Sequence, residues 1–180
     1  RLTRALREVV HVRPGVFVIR DDLASQTPRR FEYLLHALDE MTLRPEQREV
    51  IIRRPKATLT ARFLEPATLQ MSQTDQFDPP PVWPPDREYA NQWHTTVAYE
   101  QPRAEAEFLT VLLPARAGED DALPRTRHII SDTARGVELT FPDGRRTLVG
   151  FALPGVDRDV SLEGLTSDAR IFALNWSADG

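Results

Sequence analysis

Short apolar runs separated by polar or proline-containing stretches dominate the chain. Val9-Val10-His11-Val12-Arg13 and Val16-Phe17-Val18-Ile19-Arg20 are rich in β-branched residues and flank Pro14-Gly15, a pair suited to the centre of a type II turn. Phe31–His36, Glu49–Arg53 and Leu59–Leu64 continue the series, as do Trp93–Tyr99, Glu107–Leu113, Arg127–Ser131, Gly136–Phe141, Arg146–Phe151 and Arg170–Trp176. Each is too short for a globular helix and has strand composition. Pro142-Asp143-Gly144 carries hairpin-turn chemistry between two of these runs. Residues 37–48 contain good helix formers, but Pro45 cuts the segment short, so it reads as a loop with at most one turn. Residues 72–92 read as a long loop, with Pro79-Pro80-Pro81-Val82-Trp83-Pro84-Pro85 in extended polyproline geometry. About a dozen short strands and no long helix predict an all-β domain, a two-sheet antiparallel β-sandwich.

The 180 residues suit one such domain, 1–180, and no repeat of fixed period points to a solenoid or propeller. Arg1 in place of Met, and a turn-like Ser177-Ala178-Asp179-Gly180 at the other end, lead to the expectation that the domain is excerpted from a longer chain. A net charge of −4 without any lysine-rich block argues against nucleic acid as a partner. No apolar run is long enough for a transmembrane helix, so no membrane partner is expected. Lys56 is the one lysine beside 22 arginines. That bias suits carboxylate or sulfate groups on an acidic ligand, and arginine-rich genomic composition explains it equally well. Without cysteine there is no disulfide framework and no thiolate site.

Several stretches resemble, in order, the C-terminal β domain of heparinase II/III-like polysaccharide lyases. Arg7 to Leu23 is similar to the start of that domain, where a strand ends in a Pro-containing turn and returns through a Phe-Val-Val-x-Asp run. Pro28 to His36 resembles its strand ending in histidine. Trp93-His94 followed by Glu107–Pro114 resembles its Trp-His and Phe-Leu-Thr-x-Leu-x-Pro stretches, with a weaker echo in Ser167-Asp168-Ala169-Arg170. The resemblance spans roughly residues 4–114 and implies a secreted or periplasmic protein in which an N-terminal helical toroid precedes this domain. It also implies β-elimination on an acidic, uronic-acid-containing polysaccharide. That reaction needs the uronate carboxylate neutralised, the adjacent proton removed and the leaving oxygen protonated. In the family, the tyrosine and one histidine that do most of this belong to the toroid, so the domain alone is expected to be inactive. A non-catalytic carbohydrate-binding or scaffold module is the alternative.

The resemblance also implies a zinc held by two histidines and an aspartate. His36 and His94 match the outer two positions, but the aspartate region reads Ile51-Ile52-Arg53-Arg54-Pro55-Lys56, three cations and no carboxylate. Zinc needs at least three such ligands, and cations beside it are unfavourable. The reading therefore favours no cofactor, with the third ligand unknown and Asp75 and Asp78 nearest in chain order. Leu34 occupies the place of a catalytic histidine found in some members, which leaves His36 as the candidate catalytic residue; a strand histidine hydrogen-bonded to a neighbour is its plainer alternative. His11 and His128 receive no role. Trp83, Tyr89 and Trp93 are candidate sugar-stacking residues, with loop anchoring as the alternative for the first two. The arginine pairs Arg29-Arg30, Arg53-Arg54 and Arg145-Arg146 suit either an acidic polymer or solvated strand ends.

Overall fold

Alternation of side chains about two central strands organises the molecule. The computed structural model describes residues 1–180 apart from 83, 85, 87–89, 120–121, 157–158 and 179–180. Among the described residues there are fifteen strands and one 3₁₀ turn, Pro45–Gln47. The strands are β1 (Leu2–Val12), β2 (Val16–Arg29), β3 (Glu32–Ala37), β4 (Thr42–Arg44), β5 (Glu49–Arg54), β6 (Ala57–Glu65), β7 (Gln70–Thr74) and β8 (Trp93–Ala98). They continue with β9 (Arg103–Arg116), β10 (Arg125–Ile130), β11 (Ala134–Thr140), β12 (Arg146–Ala152), β13 (Val160–Leu162), β14 (Leu165–Ser167) and β15 (Ile171–Trp176).

A six-stranded sheet in the order β1-β2-β9-β6-β5-β4 forms the centre, with a four-stranded sheet β10-β11-β12-β15, a three-stranded sheet β3-β8-β7 and the hairpin β13-β14 around it. Val16, Val18, Leu109, Val111 and Leu113 point from one face of the central sheet onto Val137, Leu139, Val149 and Phe151 of the four-stranded sheet. This is the expected sandwich. On the other face, Val50, Ala61, Phe63, Ala106 and Phe108 meet Phe31, Tyr33, Ala37 and Val97, so the three-stranded sheet forms a third layer. Covering both faces explains the nearly continuous burial of β2 and β9, which a sheet with one wet face would not show. Val160 and Leu162 close the outside of the four-stranded sheet against Ile129, Ala134 and Leu148.

Three local expectations change. Residues 37–48 hold β4 and the 3₁₀ turn, and β7 takes up the first part of the stretch read as a long loop. The β1–β2 connection has three residues between the paired Val12 and Val16. Its Arg13–Pro14 peptide is cis and Gly15 lacks the positive φ that a type II turn requires there. The Pro142-Asp143-Gly144 hairpin is as read: Gly144 has φ 87° and Phe141 N–H donates to the Arg145 carbonyl at 2.9 Å.

Candidate functional site

Period-two alternation puts both candidate histidines on the outer face of the three-stranded sheet. Tyr33 and Ala37 of β3 point into the second core, which turns Glu32, Leu34 and His36 outward. Thr95 and Val97 of β8 are fully buried, which turns His94 the same way as His36. His36 pairs directly with His94, and His94 with Thr74 of β7. The two imidazole centroids lie 5.9 Å apart and tilted by 34°, while the Phe77 ring sits 4.8 Å from that of His94. His36 is exposed, and His94 is half-buried with its Nδ1 shielded and lacking a protein partner. Leu34, 49% exposed, adds an apolar surface two residues along. The row can therefore offer two imidazoles side by side, one of them freely accessible.

A zinc site does not follow from this row. Among the described residues no third His, Cys, Asp or Glu joins the two imidazoles in a metal-sized group. Asp75 accepts from Gln76 Nε2 at 2.6 Å, and the cations of the 51–56 segment are turned elsewhere, Arg54 to Asp39 and Arg53 to the Thr42 hydroxyl at 3.1 Å. The donor set does not fit the three-ligand pattern.

The other candidates separate from the histidine row. Trp93 is half-buried, opposite Ala37 and packed on the second core, so its ring lies on the inner side of the sheet. Trp83 and Tyr89 lie outside the described residues. Arg30 pairs with Glu32, Arg145 with Asp143, and Arg146 with Glu138 while covering Trp176, so these arginines meet groups of this chain. His11 stacks on Phe17 at 4.6 Å on the β1–β2 ribbon.

Residue patterns alone missed a buried ionic network between the central and four-stranded sheets. Arg20, with a side chain 1% exposed, donates to Glu8 at 2.9 Å and to Glu107 at 3.2 Å, and stands 3.9 Å from Asp22. Arg4 reaches Asp22 at 2.8 Å, and Arg170 reaches Glu8 at 3.2 Å. Beside it, His128 Nδ1 lies 3.8 Å from Glu65. Burial, then the positive charges of Arg135 and Arg48, push the His128 imidazole down to about 4. Burial, then the neighbouring Glu107 charge, hold the Glu65 carboxyl above its ordinary range. The sequence signal available was the charge-rich tail of otherwise apolar β1, β2 and β9, where Glu8, Arg20 and Asp22, and Glu107 stand in phase with core residues.

Layered antiparallel sheets with a half-sheltered histidine pair define the class only as an all-β, sandwich-type domain. No family model and no curated protein matches the chain. Among solved structures the chain is similar to a heparinase III gene product with methylated lysines, at a TM-score of 0.51 and 13% identity. That likeness covers 96% of this chain and 23% of the other, so the chain spans about a quarter of the structure it matches. It is a likeness of fold.

Proposed function

We propose that the chain is the β-sandwich part of a polysaccharide lyase that cleaves a uronic-acid-containing polysaccharide by β-elimination. The observation that carries the reading is the in-register His36–His94 row, set in a fold similar over 96% of this chain to part of a heparinase III. In this role the domain supports an N-terminal toroid and lends the outer face of its three-stranded sheet to the cleft. His36, exposed on a rigid strand, is the group able to take or give a proton to a bound sugar. His94 and Phe77 form the wall beside it. Export of the parent protein accompanies this reading, since its polymer substrate lies outside the cell.

Incubating the full-length parent with a panel of uronate polymers, and following the ultraviolet absorbance of unsaturated products, tests the reaction. Product formation is expected, with His36→Ala lowering kcat by about 10²-fold or more at unchanged folding. No product across the panel would end the lyase reading. A non-catalytic carbohydrate-binding role draws its support from Leu34, an exposed leucine where the resemblance has a second histidine. Retention on immobilised polysaccharide without turnover would favour it.

A further inference from the structure

The four-stranded sheet ends at β15, Ile171-Phe172-Ala173-Leu174-Asn175-Trp176, which pairs with β12 on one side and, among the described residues, with no strand on the other. Ile171 is 38% and Leu174 39% exposed, and Ala173 and Asn175 are exposed as well. The Ala152 N–H donates to the Arg170 carbonyl at 2.8 Å, one step beyond the paired Phe151 and Ile171, and this fixes the phase of the backbone. In an antiparallel ladder the N–H and C=O of one residue point the same way and alternate along the strand, so Phe172, Leu174 and Trp176 turn theirs to β12. The far side of β12 keeps the same phase, since the Leu153 N–H donates to the Thr133 carbonyl at 2.8 Å. Ile171, Ala173 and Asn175 therefore hold their N–H donors and C=O acceptors outward along a free edge.

Such an edge is a template for another strand, and folded proteins ordinarily guard it with charge, proline or shortness. The other sheet edges among the described residues are guarded or mostly polar. β1 carries Arg4 and Arg7, β10 carries Arg125 and Arg127, and β3 carries Glu32. β4, β13 and β14 have three residues each, and β7 reads Gln-Met-Ser-Gln-Thr. β15 has six residues, mostly apolar, with neither a charge nor a proline.

We propose that β15 pairs with β15 of a second copy of this chain, antiparallel about a two-fold axis through Ala173, so that the two four-stranded sheets run on as one. The outward-pointing residues are symmetric about Ala173. That axis sets Ala173 opposite the partner's Ala173 and Ile171 opposite the partner's Asn175, as hydrogen-bonded pairs in which every outward donor meets an acceptor. Phe172 then faces the partner's Leu174 in a non-hydrogen-bonded pair, where side chains come closest, on the face where Phe172 already lies over Gly150. An uncharged strand brings no like charges together when it meets its own copy, and it offers an acidic or basic peptide nothing to pair with. This pairing is independent of the lyase reading.

The test follows the mass of the full-length parent by analytical ultracentrifugation from about 1 to about 100 μM, together with amide hydrogen exchange over residues 171–175. The mass should rise about twofold across this range, with exchange slowing at Ile171, Ala173 and Asn175 as the dimer fills. Ala173→Pro deletes an outward N–H and leaves the bonds to β12 in place, a change that an edge strand tolerates, and should hold the mass at that of one chain. Leu174→Lys, at a partly exposed position, sets a cation against the partner's Phe172 and should weaken dimerisation about tenfold with an unchanged unfolding midpoint. Three results would overturn the proposal: a parent that stays monomeric at about 100 μM; a monomer whose outward amides are already protected, meaning that another segment of its own chain lies on this edge; or a dimer that either substitution leaves intact.

Discussion

Lowering the pH from 7 to 4 should weaken the fold through His128. Its imidazole is held at about 4 against an ordinary 6.5, by burial first and then by Arg135 and Arg48. Between these values the unfolded chain carries a proton on this residue that the folded chain refuses, so the unfolded state binds more protons and stability rises with pH across the window. Equivalently, the contribution is intact above 6.5 and lost as the pH falls towards 4. The full shift would correspond to about 3 kcal/mol. The side chain is 16% exposed and open to some screening, which brings the expected effect to about 1–2 kcal/mol. Glu65 acts with the opposite sign: a carboxyl held above its ordinary range binds its proton more readily in the folded state, so acidification just above pH 4.5 favours the fold at that position. The two effects separate in a Glu65→Gln background. There, urea unfolding at a series of pH values should show a slope that His128→Gln removes, flattening the curve by about 1–2 kcal/mol between pH 6.5 and 4. Parallel curves with and without His128 would refute the assignment.

Two further substitutions probe what holds the layers together. Arg20→Ala leaves Glu8, Asp22 and Glu107 without their shared cation and should cost about 3–5 kcal/mol by urea unfolding at pH 7, with the gap narrowing as the carboxylates protonate in acid; a loss below about 1 kcal/mol would contradict a buried ionic centre. Gly136→Ala would place a methyl group 2.8 Å from the Val149 carbonyl oxygen and 2.3 Å from Leu162 Cδ2. The expected loss is about 1–3 kcal/mol, because backbone as well as a side chain must give way, and an unchanged unfolding midpoint would contradict the close packing at this position.

The strands legible in the sequence are those whose apolar residues outnumber their polar ones over five to seven positions, such as Val16–Arg20, Glu107–Leu113 and Arg146–Phe151. Those missed are short and mostly polar. β7 reads Gln-Met-Ser-Gln-Thr and is fixed by pairing with β8, while β13 and β14 have three residues each and are anchored by Val160 and Leu162 over the bare surface at Gly136. β1 and β2 also run well beyond their apolar cores, because Arg7–Asp21 and Glu8–Arg20 face each other in register and continue the ladder with ion pairs. Composition gives no hint of that pairing. The proximity of His36 and His94 came from resemblance, and it depends on a β3–β8 register that joins residues 58 positions apart. Trp93 shows the limit of reading a neighbour in sequence as a neighbour in space: one step from His94 along a strand is the opposite face of the sheet.

The same phase argument separates the two ends of the sandwich. Along β2, Val16, Val18, Arg20 and Asp22 all point to the four-stranded sheet and all are buried, yet the filling changes from hydrocarbon to charge between the second and third of them. β1 changes at the same level, from Val10 to Glu8, and β9 one pair further along, from Leu109 opposite Arg20 to Glu107 opposite Asp22. Stability does not call for this change, since well-packed apolar groups of similar volume would hold the layers as well as a buried ion-pair network, or better. What the network does that hydrocarbon could not is tie Glu8 of β1, Arg20 of β2 and Glu107 of β9 together through directional bonds that a shifted register of these strands would break. The end of the sandwich that looks weakest by composition is thus the end where charge sets the register, and the buried atoms it leaves unmatched, Arg20 Nε, Asp22 Oδ2 and Glu107 Oε1 among them, are the structural cost of burying charge there.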